Sequence, residues 1–490
     1  MIRKQVGLTV LTVTAVAITT GALAQGVAAS DSGGVPSLSA AGAAGFVAGA
    51  AKVDISPPAN ALLHGDRLHD PLNVRAIYVG SGPACAVLVG MDQGNALNPV
   101  VATATAQITA RLGCPAENVV ISATHTHSGN AGGLDGGNSP NPAPQRVADA
   151  IVQAATAAKA AARAARVGYG TTQVNLNVNR DFYDGNMWMQ APNRVAPSDK
   201  TLAVVEFIDA RGMPIGVYMN YAMHPINFYL SGVISADFPG AASNYIEKRF
   251  PGAVAVFTQG PSGDQNPLFT RSMLKLSGLR TRSPFGVDQS VESEDGWVGS
   301  AHQANANTAQ TTAMNTPMRP DEIPAWEQAI AETTETVNMM GALIGESAID
   351  VMRNLTPERA STGVLRGAQA NFTCPGRDRL DPTARQGTLP PYKDGEPVNL
   401  KVGVLRIGNI YLSTVNGEVF NEIGQRLKRE APESRLMMVT LANGRANSGY
   451  IYSNAAAEHL SFQVIGSRLK PGCAEDKIVD HVLTLLSRSR

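Results

Sequence analysis

Two histidines that stand one residue apart, His125 and His127, end the apolar run Val119-Val120-Ile121. In an extended strand, residues i and i+2 point to the same face, so both imidazoles can converge where the strand ends, a common place for active sites in α/β sheets. Two neutral imidazoles on one face provide half of a metal site, and the flanking hydroxyl residues could support them. The alternative is a pair of ordinary hydrogen-bonded histidines in the core or at a sheet edge.

Two further residues at predicted strand ends could complete such a site. His224 follows the strand 217–223 and precedes Pro225, which stops regular structure. Glu418 follows the strand 410–415 and could supply a carboxylate oxygen. Taken alone, the first is equally typical of a histidine that caps a strand, and the second of a solvated turn residue.

Two motifs that would indicate other chemistry are incomplete. The segment Gly260-Pro-Ser-Gly-Asp264 has aspartate where the G-x-S-x-G nucleophile elbow requires glycine. The glycine-rich run 129–137 lacks the G-K-[ST] ending of a phosphate-binding loop. The sequence therefore predicts neither a serine nucleophile nor a nucleotide site.

The histidine pair belongs to a predicted β-α-β unit, formed by a strand at 84–91, a helix at 98–112 and a strand at 118–124. Residues 268–322 are polar and show no clear period, so they are predicted to be an insertion, a lid or a long loop. Further predicted elements are strands at 47–56, 74–80 and 253–258, helices at 145–166, 238–249 and 325–354, a hairpin within 200–223, and strands at 399–415 and 435–441. The pattern predicts an α/β fold, with one large domain over residues 47–490 that has mixed β-sheets flanked by helices.

The composition excludes one class of partner. The chain has 490 residues, net charge zero at pH 7, 44% hydrophobic and 16% charged residues, which is typical of a soluble globular protein. Because basic clusters are absent and aromatic residues make up only 5%, we expect no nucleic-acid partner. The composition leaves the oligomeric state and peripheral contact with a membrane open.

The N-terminus has the pattern of an export signal. Arg3 and Lys4 precede an apolar run over residues 6–23, which ends in Ala22-Leu-Ala24. This pattern predicts a cleaved signal peptide at 1–24 and a secreted or periplasmic protein, with a membrane anchor as the alternative. Residues 25–46, rich in Ser, Gly and Ala, are predicted to be a flexible linker.

The four cysteines form an even set, which in an exported protein indicates disulfides. Three pairings are possible. Cys85 and Cys114 fit a strand and the end of the following helix, which favours this pair and leaves Cys374 for Cys473. The absence of a C-x-x-C motif argues against a zinc–thiolate cluster.

Several segments together resemble the neutral/alkaline ceramidase family, secreted zinc amidases that cleave the N-acyl bond of ceramide. The likeness covers roughly residues 47–470 in the family's order, and its most specific segments contain His125-Thr-His127 and His224-Pro225. The matching segments are Asp54-Ile-Ser-Pro57, Asp70-Pro-Leu-Asn-Val-Arg75, Asn118 to Gly129, Asn179-Arg180, Asn220 to Pro225 with Ser235-Ala-Asp237, Gln259 to Pro267, Gly417-Glu418 and Asn447-Ser-Gly-Tyr450.

The resemblance implies a set of site residues. It implies zinc bound by His125, His224, Glu418 and Tyr450, with His127 and Arg180 beside the metal and the substrate amide. Asn266 stands where the family's G-D-V-S-P loop typically has a substrate-contacting serine, and Phe462 stands where a tyrosine is expected. Many ceramidases carry a further C-terminal β-sandwich, for which we expect no room in this chain.

The implied function is that of a secreted zinc-dependent amidohydrolase. It would cleave the N-acyl amide of a ceramide-like or other N-acylated small molecule or lipid with a metal-activated water. His127 would stabilise the oxyanion and protonate the leaving amine, and Arg180 would orient the substrate unless it forms only a structural salt bridge. Two alternatives stay open: a related hydrolase of a different acyl amide or ester, and a non-catalytic secreted binding protein with the same fold.

Overall fold

A computed structural model of the protein describes residues 45–62, 66–130, 142–281, 316–355, 363–381 and 387–489. The predicted signal peptide, nearly all of the predicted linker and residues 282–315 of the predicted insertion lie outside these ranges. Among the described helices, none is both long enough and apolar enough to cross a bilayer.

The strands and helices of the described residues are numbered here in chain order. The strands are β1 (Phe46–Asp54), β2 (Arg67–Leu68), β3 (Asn73–Ser81), β4 (Ala84–Met91), β5 (Val119–Ala123), β6 (Arg163–Gln173), β7 (Asn177–Tyr183), β8 (Trp188–Asn193), β9 (Thr201–Ile208), β10 (Pro214–Tyr221), β11 (Val233–Ile234), β12 (Val254–Gln259), β13 (Gln265–Pro267), β14 (Leu365–Arg379), β15 (Tyr392–Ile407), β16 (Ile410–Val415), β17 (Glu418–Val419), β18 (Leu436–Val439) and β19 (Tyr450–Ile451). The helices are α1 (Asn98–Leu112), α2 (Pro144–Ala160), α3 (Asp237–Arg249), α4 (Arg271–Thr281), α5 (Ile323–Asn354), α6 (Asn421–Glu430), α7 (Phe462–Gly466) and α8 (Ala474–Ser489).

Two mixed sheets pack face to face and form the centre of the fold. The larger has the strand order β12-β10-β9-β6-β1-β3-β4-β5, and the smaller has the order β14-β15-β16-β18. Apolar side chains from both sheets, among them Ile77, Tyr218, Leu405 and Leu412, form one buried cluster between them. The structure confirms the predicted α/β fold of mixed β-sheets flanked by helices.

The two faces of the larger sheet have different neighbours because side chains alternate along a strand. On β3, Val74 and Ala76 pack toward α1 and α2, whereas Ile77 and Val79 pack toward the smaller sheet. Helices α3 and α5 pack with β10 and β12 in a separate cluster, and α6 and α8 pack with β15 and β16. Each fully buried aliphatic side chain of these layers contributes about 1.5–3 kcal/mol, so the sheets form a firm support for the residues at their ends.

The larger sheet is curled, and this curvature positions the site. Its terminal strand β12 contacts β4 and β5 at the opposite end of the strand order. Gln259, the last residue of β12, donates from Nε2 to the Thr124 carbonyl just after β5 (2.9 Å). His127 N donates to the Pro225 carbonyl (3.1 Å), which joins the segments after β5 and β10 directly.

Three sequence predictions are corrected by the structure. The helix predicted at 145–166 ends at Ala160, and its last residues instead enter β6, where pairing with β1 and β9 overrides the helix propensity of alanine. The strand predicted at 399–415 is a hairpin, because β15 and β16 are separated by a turn at Gly408. The predicted insertion at 268–322 contains helix α4 (Arg271–Thr281) among its described residues.

Both disulfides join strands to neighbouring helices. Cys85 of β4 is bonded to Cys114, which follows α1, and Cys374 of β14 is bonded to Cys473, which precedes α8. The structure thus confirms the predicted pairing.

Candidate metal centre

His125 is fixed by the backbone of the segment after β4. Its backbone N–H donates to the Gln93 carbonyl (3.0 Å), and its ring Nδ1 donates to the Gly94 carbonyl (2.6 Å). Its φ of +67° lies in the left-handed region, which costs a side-chain-bearing residue on the order of 1–3 kcal/mol. The surrounding bonds hold this conformation, which directs the imidazole away from the strand and toward His224.

His224 is held in the same manner by a different loop. Its Nδ1 donates to the Ser262 carbonyl (2.7 Å), and its backbone N–H donates to the Gln265 carbonyl (3.0 Å). Burial lowers the pKa of His224 to about 3, so the ring is neutral at physiological pH. Since carbonyl oxygens only accept hydrogen bonds, Nδ1 carries the proton in both rings, and each Nε2 presents a lone pair.

These two lone pairs face each other and a carboxylate. The Nε2 atoms of His125 and His224 are 3.2 Å apart, and Glu418 Oε2 lies 3.2 Å from the first and 3.5 Å from the second. Oε2 is buried and has no hydrogen-bond partner among the described residues.

His127 brings a third imidazole to the same point. Its Nε2 is 3.3 Å from His125 Nε2, and ligand atoms of His125, His127 and His224 all lie within 4.8 Å of one another. Burial and the two neighbouring imidazoles hold the pKa of His127 well below its ordinary value. The structure therefore brings together three imidazole nitrogens and one carboxylate oxygen.

This set of atoms fits a divalent ion such as zinc. Hydrogen-bond acceptors that face each other without a shared proton repel, and a cation removes that repulsion. Zinc binds imidazole nitrogen and carboxylate oxygen at about 2.0–2.2 Å in tetrahedral geometry, which separates ligand atoms by roughly 3.3–3.5 Å. Among His125, His224 and Glu418 the separations of 3.2, 3.2 and 3.5 Å match that value.

Tyr450 is placed beside Glu418 by the pairing of two short strands. Glu418 and Tyr450 are direct partners in the parallel pair β17/β19. Burial, followed by the charge of Glu418, raises the pKa of the Tyr450 phenol above its ordinary value. The role of Tyr450 as a metal ligand, and that of His127 as a residue beside the metal, both stay predictions.

Arg180 and Asn266 form the wall of the site next to His224. Arg180 donates from Nη1 to Asn266 Oδ1 (3.1 Å) and from Nη2 to the Gly263 carbonyl (2.6 Å), and Nη2 lies 3.5 Å from His224 Nε2. Its guanidinium carbon lies 5.4 Å from the ring centroid of Tyr450 and 5.3 Å from that of Phe462. No ion pair of Arg180 with a carboxylate occurs in the described ranges, which weakens the salt-bridge alternative.

An open cleft leads to His127. It is lined by apolar Phe228 and Leu230 together with polar Ser128 and Asn130, and His127 forms part of its wall.

Sequence reasoning brought the right histidines together but missed how they are held. The carbonyls of Gly94, Ser262 and Gln265, which fix the two rings, carry no side-chain signal. Asp264 stood out in the sequence as the residue that breaks the nucleophile-elbow motif and as part of the family-like segment Gln259 to Pro267, but neither observation predicted that its carboxylate accepts two N–H bonds beside the site. Backbone acceptors and such cross-links become apparent only in three dimensions.

Part of the chain is similar to proteins of known function. Residues 59–280 match the family description "Neutral/alkaline non-lysosomal ceramidase, N-terminal". Neutral ceramidase B of Dictyostelium discoideum is 28% identical over 240 residues, which cover 44% of this chain and 33% of that protein. Neutral ceramidase A of the same organism is 30% identical over 171 residues, or 31% of this chain and 24% of that protein. The matched regions thus span a third or less of these relatives.

Solved structures share the fold over most of the chain. The neutral ceramidase from Pseudomonas aeruginosa superposes with a TM-score of 0.60 at 17% identity, covering 91% of this chain and 75% of that one. A ceramidase complexed with C2 gives a TM-score of 0.63 at 17% identity, covering 91% and 76%. The matched residues and the shared fold confirm the predicted resemblance to the neutral/alkaline non-lysosomal ceramidase family.

Proposed function

We propose that this protein is a zinc-dependent amidohydrolase that cleaves the N-acyl amide bond of ceramide or a closely related N-acylated lipid. The observation that carries the proposal is the convergence of His125 and His224 on the buried Oε2 of Glu418, which has no hydrogen-bond partner among the described residues, with His127 beside the two imidazoles. The names of the relatives, which are ceramidases, support the amide bond and the lipid as substrate. His125, His224, Glu418 and Tyr450 would hold the ion.

Zinc bound at such a centre supplies two effects, a lower pKa of a coordinated water and polarisation of an acyl carbonyl. The protein must supply the rest. It must hold the amide next to the ion, stabilise the negative charge that develops on the carbonyl oxygen, and provide a proton to the leaving nitrogen.

Arg180 is suited to the first two tasks. Its bonds to Asn266 and to the Gly263 carbonyl and its position over the rings of Tyr450 and Phe462 hold the guanidinium against His224. Its Nε has no hydrogen-bond partner among the described residues. A fixed, buried guanidinium with an unused donor can bond to an acyl or hydroxyl oxygen without reorganisation during the reaction.

His127 is suited to the proton transfer. It is neutral in the resting site because burial lowers its pKa, and it faces both the imidazole cluster and the cleft. A neutral imidazole can take a proton from the attacking water and pass it to the amine nitrogen as the C–N bond breaks. The hydroxyl oxygen of the water then remains on the acyl product, so the products are a carboxylic acid and an amine.

We expect the wall formed by Arg180 and Asn266 to determine which N-acylated lipid the site accepts. The side-chain oxygen of Asn266 accepts a hydrogen bond from Arg180, which fixes the orientation of this side chain. An asparagine is also bulkier than a serine would be at this place. This difference favours an N-acyl substrate with a modified amine portion over an exact match to the family's usual one. We also propose export to an oxidising compartment, which the two disulfides support.

The test combines metal analysis with a substrate panel. We expect about one zinc per chain, loss of activity with a chelator, recovery on added zinc, and equimolar release of fatty acid and amine from N-acylsphingosine, measured by mass spectrometry. Asn266→Ser should change the relative kcat/KM among N-acyl substrates while the zinc content stays the same. Protein that binds no stoichiometric metal, or hydrolysis that ignores the chelator, would contradict the proposal.

A further inference from the structure

The loop Ser262–Asn266, called the strap here, contacts three segments that carry site residues. The Ser262 carbonyl accepts from His224 Nδ1 (2.7 Å), and the Gly263 carbonyl accepts from Arg180 Nη2 (2.6 Å). Gly263 N donates to the Val419 carbonyl (2.8 Å), one residue after Glu418. The strap is therefore the place where the histidine, arginine and glutamate segments meet.

Asp264 is the strap residue whose side chain joins two of these segments. Its Oδ2 accepts from Asn179 Nδ2 (2.8 Å), next to Arg180 on β7, and its backbone carbonyl accepts from Arg180 N (2.9 Å). Its Oδ1 accepts from the backbone N–H of Asn421 (2.8 Å), the first residue of α6, three residues after Glu418. One carboxylate thus spans the gap between the Arg180 strand and the Glu418 turn.

This carboxylate is held in an unfavourable environment. Asp264 is only 3% exposed, and burial together with the nearby charge of Asp181 raises its pKa to about 7. Both of its oxygens already accept N–H bonds, so protonation would cost one of the two links. Buried carboxylates of this kind occur preferentially where a site requires them.

We propose that Asp264 is a positioning residue that sets the spacing between Arg180 and Glu418 and thereby determines both zinc affinity and turnover. The inference rests on the proposed function. Asp264 acts through Asn179 on the strand that carries Arg180, and through the N-terminus of α6 on the turn that carries Glu418. Outer hydrogen-bond partners of this type typically change metal affinity or activity by about 10–100-fold when they are lost.

The test uses Asp264→Asn in the full chain. The substitution keeps the size of the side chain but replaces one acceptor by an N–H₂ group that faces the donor of Asn179 or Asn421. We expect the zinc affinity, measured by competition with a chromophoric chelator, to fall about 10–100-fold, and kcat for N-acylsphingosine to fall by a similar factor. Glu206→Gln is the matched control, since it changes a buried carboxylate of β9 to an amide outside the site, and it should leave the zinc affinity unchanged.

A double variant separates positioning from simple destabilisation. Asn179→Asp combined with Asp264→Asn exchanges the carboxylate and the carboxamide, so an N–H···O bond can form between them in the opposite direction. We expect it to recover part of the lost zinc affinity. If Asp264→Asn does not fold, Asn179→Ala removes one of the two links of the Asp264 carboxylate, together with the Asn179 bonds to Pro197 and Asp181, and should lower the zinc affinity by a smaller factor.

The outcomes distinguish this inference from the proposed function. Wild-type zinc affinity and kcat in Asp264→Asn, or in Asn179→Ala if the first variant does not fold, would overturn the positioning role even if the melting temperature fell. A wild-type protein that binds no zinc in the same titration would instead contradict the proposed function.

Discussion

The two halves of the candidate metal centre are built differently. His125 and His224 follow strands of five and eight residues in the curled sheet, and backbone carbonyls clamp each ring. Glu418 and Tyr450 lie on strands of two residues each, β17 and β19, which pair with each other and with no further strand of the described residues. The histidine half is thus an extension of the largest core, whereas the glutamate half depends on contacts that surrounding loops make.

This difference predicts how each half responds to change. A pair of two-residue strands is not stable by itself, so its position depends on bonds such as those from Phe420 N to the Ile451 carbonyl and from Gly263 N to the Val419 carbonyl. The histidine half is preorganised by the sheet and should keep its geometry without metal. The geometry of the glutamate half should be disturbed more easily by changes in the surrounding loops. Each single change there should nevertheless weaken metal binding less than the loss of a histidine does.

The largest effect is expected in the histidine half. His125→Ala and His224→Ala each remove a lone pair from the centre, and each should abolish stoichiometric zinc and lower kcat/KM by more than about 100-fold, beyond the usual cost of an outer partner. Zinc should no longer raise the melting temperature of either variant, because that rise depends on binding to the folded state. His481→Ala, at the surface of α8, is the control. A histidine variant with full zinc and full rate would show that its ring is not a ligand.

Glu418→Gln tests the other half at constant side-chain size. The amide keeps one acceptor but loses the negative charge that lies 3.2 Å from His125 Nε2, so zinc binds with less electrostatic compensation. We expect a loss of zinc affinity of about 10–100-fold with the fold retained, measured by chelator competition and by thermal melting without metal. If the zinc affinity of Glu418→Gln fell as far as that of the histidine variants, the two halves would contribute equally to zinc binding. The proposed difference between the histidine half and the glutamate half would then be wrong.

Tyr450→Phe is expected to have a smaller effect than Glu418→Gln, and it tests whether the Tyr450 phenol is a metal ligand. The phenyl ring can keep the edge-on packing against Phe462 (5.6 Å between centroids) and the contact with Arg180, so stability should change little. Removal of the phenol hydroxyl should lower kcat by about 10-fold, the low end of the range for residues that support a metal centre. A fall in zinc affinity of similar size would identify the phenol as a ligand, whereas unchanged affinity would limit it to a role toward the substrate.

The sequence predicted the histidine half better than the glutamate half for a physical reason. The strand at 84–91 and the helix at 98–112 coincide with β4 and α1, because their apolar patterns are local and continuous. His125 and His127 were expected to converge as alternate residues of an extended strand, but β5 ends at Ala123 and His125 has a left-handed φ of +67°, so their convergence has a different local cause. Tyr450 lies 32 residues from Glu418 and meets it through a pairing of two residues, which no periodicity reveals, so only the family resemblance pointed to it.

The same limit explains the elements that were missed. Strand β14 was not predicted, since Leu365–Arg379 contains glycine, proline and several polar residues and buries side chains only at intervals. Its long antiparallel pairing with β15 supplies the stability that its composition does not. Asp264 was missed because its role comes from donors that lie 85 and 157 residues away in the chain.

The two disulfides give the smallest contrast between the halves. Cys85–Cys114 lies in the histidine half and spans 29 residues, whereas Cys374–Cys473 lies beside the glutamate half and spans 99. Because a longer loop restricts the unfolded chain more, replacing the second pair by alanine should lower the free energy of unfolding by about 1 kcal/mol more than replacing the first. Denaturant titration of both double variants measures this difference, and single Cys→Ala variants show how much of it comes from the packing of the sulfur atoms. If the order were reversed, contacts in the folded state would outweigh chain entropy, and the glutamate half would depend less on its disulfide than its short strands suggest.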